Sequence, residues 1–449
     1  MEGGVISEVP VPKRSPLPPG PGGPAMVQGL RMYRNPLSFA PELQRRYGHV
    51  FTVPLPVLGK SVFVASPELV KAVFTTPPTN LNAGELLESM AGEVLGSHAV
   101  LTLDGPPHLR QRKLLLPPFH GERIRRYGEL IREFTLEQMK SWPVGTPFPL
   151  LGHFQRITMA AILKSILGVH DPERLLHADR LWLRLQKASS SFLMIAPKPL
   201  QRDLGPLSPG GRFSRARRAV DDFIYELIDS RRADERLEER EDVLSLLMMA
   251  RHDDGTPMSN EELRDELVAL IVAGYETSAF ALSWTIERLL RTPPAHARFK
   301  EAVAGGDSEY VDATIKESLR TRPVLVSVMR KLTAPMALGG FEIDAGTCVL
   351  PAITAMHYRE DLFPQAQEFR PDRFLEGDAY KYAWIPFGGG TRRCVGSAFA
   401  EYEMRVVLET VFEHADLTAA EQAPERGKLE GMLLAPAKGA EVVLDGPLR

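Results

Sequence analysis

Cysteine is nearly absent from this chain: Cys348 and Cys394 are the only two in 449 residues. So small a number excludes a disulfide framework and any zinc site built on several thiolates, and it fits a reducing, cytoplasmic setting. A surplus of basic charge is missing as well. Lys plus Arg is 54 against 57 for Asp plus Glu, a net charge of −3, where a dedicated nucleic-acid binder carries a basic excess. Between Met1 and Met26 there is no continuous apolar run, so neither a signal peptide nor a membrane anchor is expected there. No solenoid-type repeat is visible, and no G-x-G-x-x-G follows a strand. What remains is ordinary globular usage, 44% hydrophobic and 25% charged, enough to bury a sizeable core. The 38 prolines predict many interrupted helices and rigid turns.

Residues 1–25 read as a Pro/Gly-rich tail, extended and poorly ordered. Residues 26–449 read as one large domain, because no break in composition divides them. Val50–Val64 predicts a short hairpin. Apolar spacing of three and four predicts helices over Glu122–Met139, Ala219–Arg232 and Glu261–Leu290. Gly340–Leu350 and Gly439–Leu444 read as strands, and Gly205–Gly211 and His252–Gly255 as loops. The fold class is therefore mainly α with small β-sheets.

The third helix is the longest. Ser259 and Glu262 form a capping box, and the pattern runs to Arg291 before Pro293 and Pro294. At about 1.5 Å per residue this is a rod of about 50 Å. Leu267–Ile286 is apolar all round with Glu276 its only charge. An acid in mid-span argues against a membrane crossing and for a helix threaded through a core. Within it, Gly274 costs about 1 kcal/mol relative to Ala, and Thr277 can bond the Ala273 carbonyl and bend the helix. Two readings stand open: a packing glycine with Glu276 satisfied by a distant Arg, or a functional groove.

The run Phe387-Gly388-Gly389-Gly390-Thr391-Arg392-Arg393-Cys394-Val395-Gly396 is the strongest local signal. Three glycines free the backbone for a tight loop, and Ser397–His414 reads as a helix beginning just beyond Cys394. Basic neighbours and a helix N-terminus favour the thiolate. That thiolate could serve a nucleophile, sit inert in a core, or ligate haem iron; the glycine-rich turn favours haem, because a flat macrocycle must approach the backbone.

Phe387, Gly390, Arg392, Cys394 and Gly396 match in order and spacing the haem-binding segment of the cytochrome P-450 superfamily, which this chain resembles. Upstream, Glu317-Ser318-Leu319-Arg320 resembles its E-x-x-R helix, Phe369–Phe374 its F-x-P-x-R-F segment, and Ala273–Thr277 the acid–threonine groove of its central helix. Pro16–Gly20 and the terminal hairpin fit too. Asp372 departs from the common Glu, and Glu276 stands where Asp is frequent. E-x-x-R alone is weak, since it also occurs at Glu42/Arg45, Glu122/Arg125, Glu129/Arg132 and Glu261/Arg264.

The resemblance implies a single domain with haem b held between the central helix and the Cys394 loop. It implies Cys394 as iron ligand and Phe387, Gly390, Arg392, Gly396 and Ala273 as cofactor contacts. His108, Arg112 and Arg330 would join Arg392 at the propionates. Glu317, Arg320 and Arg373 would form a buried charge network. Glu276 and Thr277 would relay protons to dioxygen. By position, Leu86, Leu87, Met90, Leu270, Ala273, Val324, Leu325, Val326 and Leu433 would line a pocket for an apolar terpenoid, steroid, fatty acid or polyketide, with Ser189–Arg212 over the entrance. The implied activity is monooxygenation, hydroxylating or epoxidising the substrate. No reductase is fused, so an external ferredoxin or flavodoxin with its reductase would supply two electrons, docking at Arg110, Lys113 and Arg393. A monomer is expected. Two alternatives stand beside this: a haem-thiolate peroxygenase or isomerase, and a non-enzymatic haem or lipid sensor.

Overall fold

The capping box forms as its spacing predicts. The Ser259 N–H donates to the Glu262 carboxylate at 2.8 Å, and the Glu262 N–H donates to the Ser259 hydroxyl at 3.1 Å. The computed structural model describes residues 17–119, 124, 125, 127–190, 203, 205, 208–376 and 380–449. The first sixteen residues of the expected tail, the start of Pro16–Gly20, Glu122 and most of the expected entrance segment lie outside the described residues.

Helices α1 to α15 are, in order, Ala25–Arg34, Phe39–Tyr47, Pro67–Thr75, Gly84–Leu95, Gly105–Leu115, Gly128–Met139, Leu151–Leu167, Pro172–Ser190, Pro209–Arg232, Val243–Met249, Asn260–Leu290, Pro293–Gly305, Ser308–Thr321, Ile353–His357 and Ser397–His414. Strands β1 to β12 are Val50–Leu55, Gly59–Val64, Leu81–Asn82, Phe148–Pro149, Arg330–Leu332, Met336–Leu338, Phe341–Ile343, Cys348–Pro351, Leu417–Ala419, Gly427–Glu430, Leu433–Pro436 and Glu441–Leu444. The hairpin pairs Val50 with Val64 through Leu55 with Gly59. It forms one side of a five-stranded sheet in the order β1-β2-β8-β5-β3, in which β2 and β8 run parallel.

One expectation fails. Gly205–Gly211 reads as a loop, yet α9 begins at Pro209. Proline at the first helical position leaves no amide to satisfy, and the Ser208 hydroxyl accepts from the Gly211 N–H at 3.0 Å. Gly211 serves packing, since a β-carbon there would overlap the Gly205 carbonyl.

Two helical cores share α11, one taking Leu263–Tyr275 positions and the other Ala279–Leu289 positions, and a third core lies under the five-stranded sheet. This helix is apolar and long enough to cross a membrane, but two-thirds of its apolar window is buried inside the protein. It packs on α7, α9, α13 and α15.

Two carboxyls are buried along it without a cation. Glu403 of α15 is wholly buried beside Ser278, and burial pushes its carboxyl up to about 8. Glu266 is pushed up to about 8 for the same reason, although the Val100 N–H donates to it at 2.6 Å. A carboxyl whose pKa is raised by folding binds a proton that the unfolded chain releases, so stability falls as pH rises from about 4.5 to about 8. Each such group removes about 1.4 kcal/mol per pH unit across that window. His108 and His357, both lowered to about 3 by burial, act at the other end: stability falls as pH drops from about 6.5 towards 3. Glu403→Gln, neutral at every pH, should melt like the parent at about pH 5 and several degrees higher at about pH 8.5. Equal melting of both proteins at the alkaline pH would show that Glu403 folds in ionised.

Candidate active site around Cys394

The Cys394 loop is closed by its own backbone and clamped from outside. The Cys394 N–H donates to the Phe387 carbonyl at 3.0 Å, and the Arg393 N–H to the Gly390 carbonyl at 3.1 Å. Gly388 and Gly390 both lie at φ +65°, the left-handed region that glycine adopts without strain. Two of the glycines also make room for a neighbouring helix. A β-carbon on Gly389 would overlap the Phe74 ring, and one on Gly390 the Phe74 carbonyl, so the glycines admit the end of α3. Gly396 caps α15, which opens at Ser397.

The thiol also corrects an expectation. Gly396 N–H, Arg112 and Arg393 all favour the thiolate, but burial outweighs them and pushes the Cys394 thiol up. Its accessible surface therefore faces an internal recess, where a charge is poorly solvated. A metal cation in that recess would supply the missing positive charge, since coordinated thiols deprotonate outright.

Around the loop, positive charge exceeds negative. Arg330 is buried, its guanidinium lowered to about 10 by burial and by Arg392. It donates to the Met329 carbonyl at 2.8 Å and, more weakly, to the Gly389 carbonyl at 3.5 Å. Arg112 has neither an ion pair nor a side-chain hydrogen bond among the described residues. Burial lowers it, opposed by Cys394. Arg392 pairs with Asp104 and donates to the Val100 carbonyl at 3.0 Å. His108, buried and held neutral, completes the group. Of the three guanidiniums only Arg392 has an ion pair among the described residues, with Asp104; Arg330 feels that carboxylate at longer range and Arg112 has none. Buried charges require partners, and a ligand carrying two carboxylates, as haem does, balances this set.

A stripe of α11 is less covered than the rest of the helix. Ala273 is exposed, and Leu270, Gly274 and Thr277 are half-buried, whereas Leu263–Ala269 and Ser278–Glu287 are buried. Positions i, i+3, i+4 and i+7 share one helix face, so this face is only partly covered by its neighbours. Gly274 itself is a packing residue, since a β-carbon there would come within 2.6 Å of Ile162 Cδ1 on α7. Thr277 donates its hydroxyl to the Ala273 carbonyl at 2.7 Å, and the Thr158 hydroxyl donates to the Tyr275 carbonyl at 2.8 Å. Both bonds draw on carbonyls of the helix ladder at the same turn. Glu276 meets no arginine there; it accepts from the Gln186 side chain of α8. Burial raises its carboxyl, opposed by hydrogen bonds from Tyr275 and Gln186.

Behind the loop, Glu317, Arg320 and Arg373 come together with 0%, 0% and 5% side-chain exposure. Arg320 donates to Glu317 at 2.7 and 2.8 Å, and Arg373 to Glu317 at 3.1 Å. Among the described E-x-x-R repeats only this one closes on itself: Arg132 pairs with Glu413, and Arg264 with Asp221 and Asp265. Two residues not singled out by sequence link the network to the loop. His357 bonds the Arg320 carbonyl at 3.1 Å through Nδ1 and accepts from the Ile385 N–H at 3.0 Å through Nε2. Trp384 donates to the Lys316 carbonyl at 3.1 Å and stands edge-on to Phe387 and Phe374. A lone His and a lone Trp carry no spacing signal, so nothing in the sequence pointed to them.

The nine expected pocket residues come from four places. Leu86, Leu87 and Met90 lie on α4, and Leu270 and Ala273 on the stripe. Val324–Val326 is joined to Leu433 by the Leu325–Leu433 bridge and the Leu434 N–H to Val324 carbonyl bond of 2.7 Å. All except Ala273, which is exposed, are half-buried.

The cytochrome P450 family model matches residues 17–444. The chain is 40% identical to cytochrome P450 138 of Mycobacterium tuberculosis over 444 residues, 98% of this chain and 99% of that protein. It is 37% identical to cytochrome P450 135B1 of Mycobacterium bovis, covering 95% and 91%. Among solved structures, retinoic acid-bound cyanobacterial CYP120A1 superposes with a TM-score of 0.81 at 24% identity, covering 97% of this chain and 99% of that one. This membership removes the sensor alternative and brings with it dioxygen, a small-molecule substrate and an electron-donating partner. From tail to terminal hairpin, then, the chain belongs to the cytochrome P450 family and is a haem-thiolate monooxygenase.

Proposed function

We propose that this enzyme oxidises a neutral, apolar small molecule, hydroxylating or epoxidising it, with Cys394 as iron ligand and electrons from a separate ferredoxin or flavodoxin. The observation that carries the reading is the partly uncovered stripe of α11, with Leu270, Ala273 and Thr277 on it and Glu276 beside it against Gln186. We read this stripe as facing the Cys394 thiol and the unpaired cations around it. When bound, the haem supplies dioxygen activation and oxygen insertion. The chain supplies the rest. His108, Arg112, Arg330 and Arg392 anchor the propionates, with Ala273, Phe387, Gly390 and Gly396 against the ring. Leu86, Leu87, Met90, Leu270, Val324, Leu325, Val326 and Leu433 exclude water and bind by burial; their lack of charge favours a terpenoid, steroid, fatty acid or polyketide skeleton. Glu276, whose carboxyl is raised by burial, serves as the proton carrier, and Thr277 positions the protons. The pair favours oxygen activation with partner-derived electrons over a peroxygenase or isomerase, which needs no such relay.

Arg110, Lys113 and Arg393 are exposed beside Leu109, which is 40% exposed. Lys113 is shared with Asp253 at 2.7 Å. A basic surface with an apolar centre suits an acidic electron carrier. We place the enzyme in the cytoplasm as a monomer, with residues 1–25 as a tail before the catalytic domain.

In the purified protein, the reduced carbon monoxide adduct should show the strongly red-shifted Soret band of thiolate ligation. Cys394→Ala should lose that band and Cys348→Ala should keep it; its persistence in the Cys394 variant ends the assignment. A ligand-induced spin-shift screen over apolar compounds, followed by NADPH turnover with a surrogate ferredoxin system, tests the substrate class.

A further inference from the structure

Asp104 occupies the N-cap position of α5, yet its carboxylate makes no capping bond to that helix. It is used elsewhere, twice. Oδ1 accepts from the Ala83 and Gly84 N–H groups at 2.8 and 2.9 Å, and Oδ2 from the Glu85 N–H at 2.8 Å. These are the orphan amides at the start of α4. The same Oδ1 also accepts from the Arg392 guanidinium of the Cys394 loop. The junction is tight: a β-carbon on Gly84 would overlap the Thr102 and Leu103 carbonyls, and the Leu103 carbonyl is itself an acceptor for Arg392.

We propose that Asp104 is a positioning residue: one carboxylate ties Arg392 to the first turn of α4, so that cofactor loading and order in the roof of the substrate cavity are coupled. The inference rests on the assignments above of Arg392 to a propionate and of Leu86, Leu87 and Met90 to the cavity. Its physical basis is the shortage of negative charge. Among the described residues Asp104 is the carboxylate that acts on both Arg330 and Arg392, and Arg112 close by has no ion pair. Added propionates hold Arg392 in place, which leaves Asp104 fixed against the α4 amides, and the linkage is reciprocal.

The test uses haem-loaded enzyme and two readouts: hydrogen exchange at Ala83, Gly84 and Glu85, and haem transfer to apomyoglobin. Asp104→Ala should speed both. The decisive variant is one-sided. Arg392→Gln leaves every α4 capping bond in place, yet exchange at those three amides should rise, by about 5- to 150-fold for a coupling of the usual size. If Arg392→Gln quickens haem transfer and leaves exchange at Ala83, Gly84 and Glu85 as in the parent, Asp104 is a cap and an ion pair with no coupling between them. Failure of the underlying reading looks different. Absence of the thiolate carbon monoxide band in the parent protein removes the haem-site assignment. Unchanged phenylimidazole binding in Met90→Trp removes the roof.

Discussion

Arg320→Ala should yield almost no soluble haem-loaded protein, and Arg373→Ala little more. Arg320 is fully buried and uses every face of its guanidinium. It donates to both oxygens of Glu317 and to the carbonyls of His357, Ala366 and Glu368 at 2.7, 2.8 and 3.0 Å, and it stacks 5.2 Å from the Phe363 ring. Removing it takes two bonds from a buried carboxylate and leaves the buried His357 and Ala366 carbonyls and the part-buried Glu368 carbonyl without their donor. Breaking a buried pair in this way costs about 3–5 kcal/mol, against a total stability of about 5–15 kcal/mol. Lysine does not rescue it, because a single ammonium lacks the planar fork that reaches five acceptors. Arg373 adds the Pro364 carbonyl at 3.0 Å and the longer Gln365 contact at 3.4 Å, so its loss is severe but smaller. Expression yield, haem-to-protein ratio and urea unfolding read the effect. Full haem content with merely lower turnover in Arg373→Ala would show that the network serves something other than the fold.

What could be read in the sequence, and what could not, divides by distance along the chain. The capping box at Ser259, the Val50–Val64 hairpin and the helix Ser397–His414 depend on residues within a few positions of one another, and the structure reproduces them closely. Local composition misleads where its residues serve something else. Gly205–Gly211 has the look of a loop, yet Pro209 opens a helix and Gly211 makes room for a carbonyl. Spacing could not choose among five E-x-x-R repeats. Family order selected Glu317/Arg320, and only a partner 53 positions further on, Arg373, distinguishes it physically. His357, Trp384, Phe74 and Asp104 stayed invisible for the same reason, since their partners are dozens to hundreds of residues away. Neighbouring arginines suggested a stabilised thiolate at Cys394, and only the folded burial shows that desolvation outweighs them.

Thr277→Ala should uncouple the enzyme while leaving substrate binding in place. Alanine is the best helix former, and Thr277 in this structure bonds only to its own helix, at Ala273 and more weakly at Gly274. Its removal therefore leaves α11 intact and frees the Ala273 carbonyl. The hydroxyl proton is already given to that carbonyl, so the oxygen's remaining lone pairs face the groove as acceptors. On the function proposed above, Thr277 would accept from a proton-carrying water in the groove, one residue from Glu276. Loss of one positioned proton carrier costs about 10²–10⁴-fold in the step it serves, and electrons that find no proton route leave as hydrogen peroxide. The expected outcome is a near-parental substrate spin shift, undiminished NADPH consumption, and a large transfer of its yield from product to peroxide. Thr277→Ser, which keeps the acceptor, should recover most of the coupling, and Thr277→Val, which keeps the shape without it, should not. If valine couples as well as serine does, the hydroxyl is only a helix-bending bond to Ala273, and Glu276 with solvent carries the protons alone.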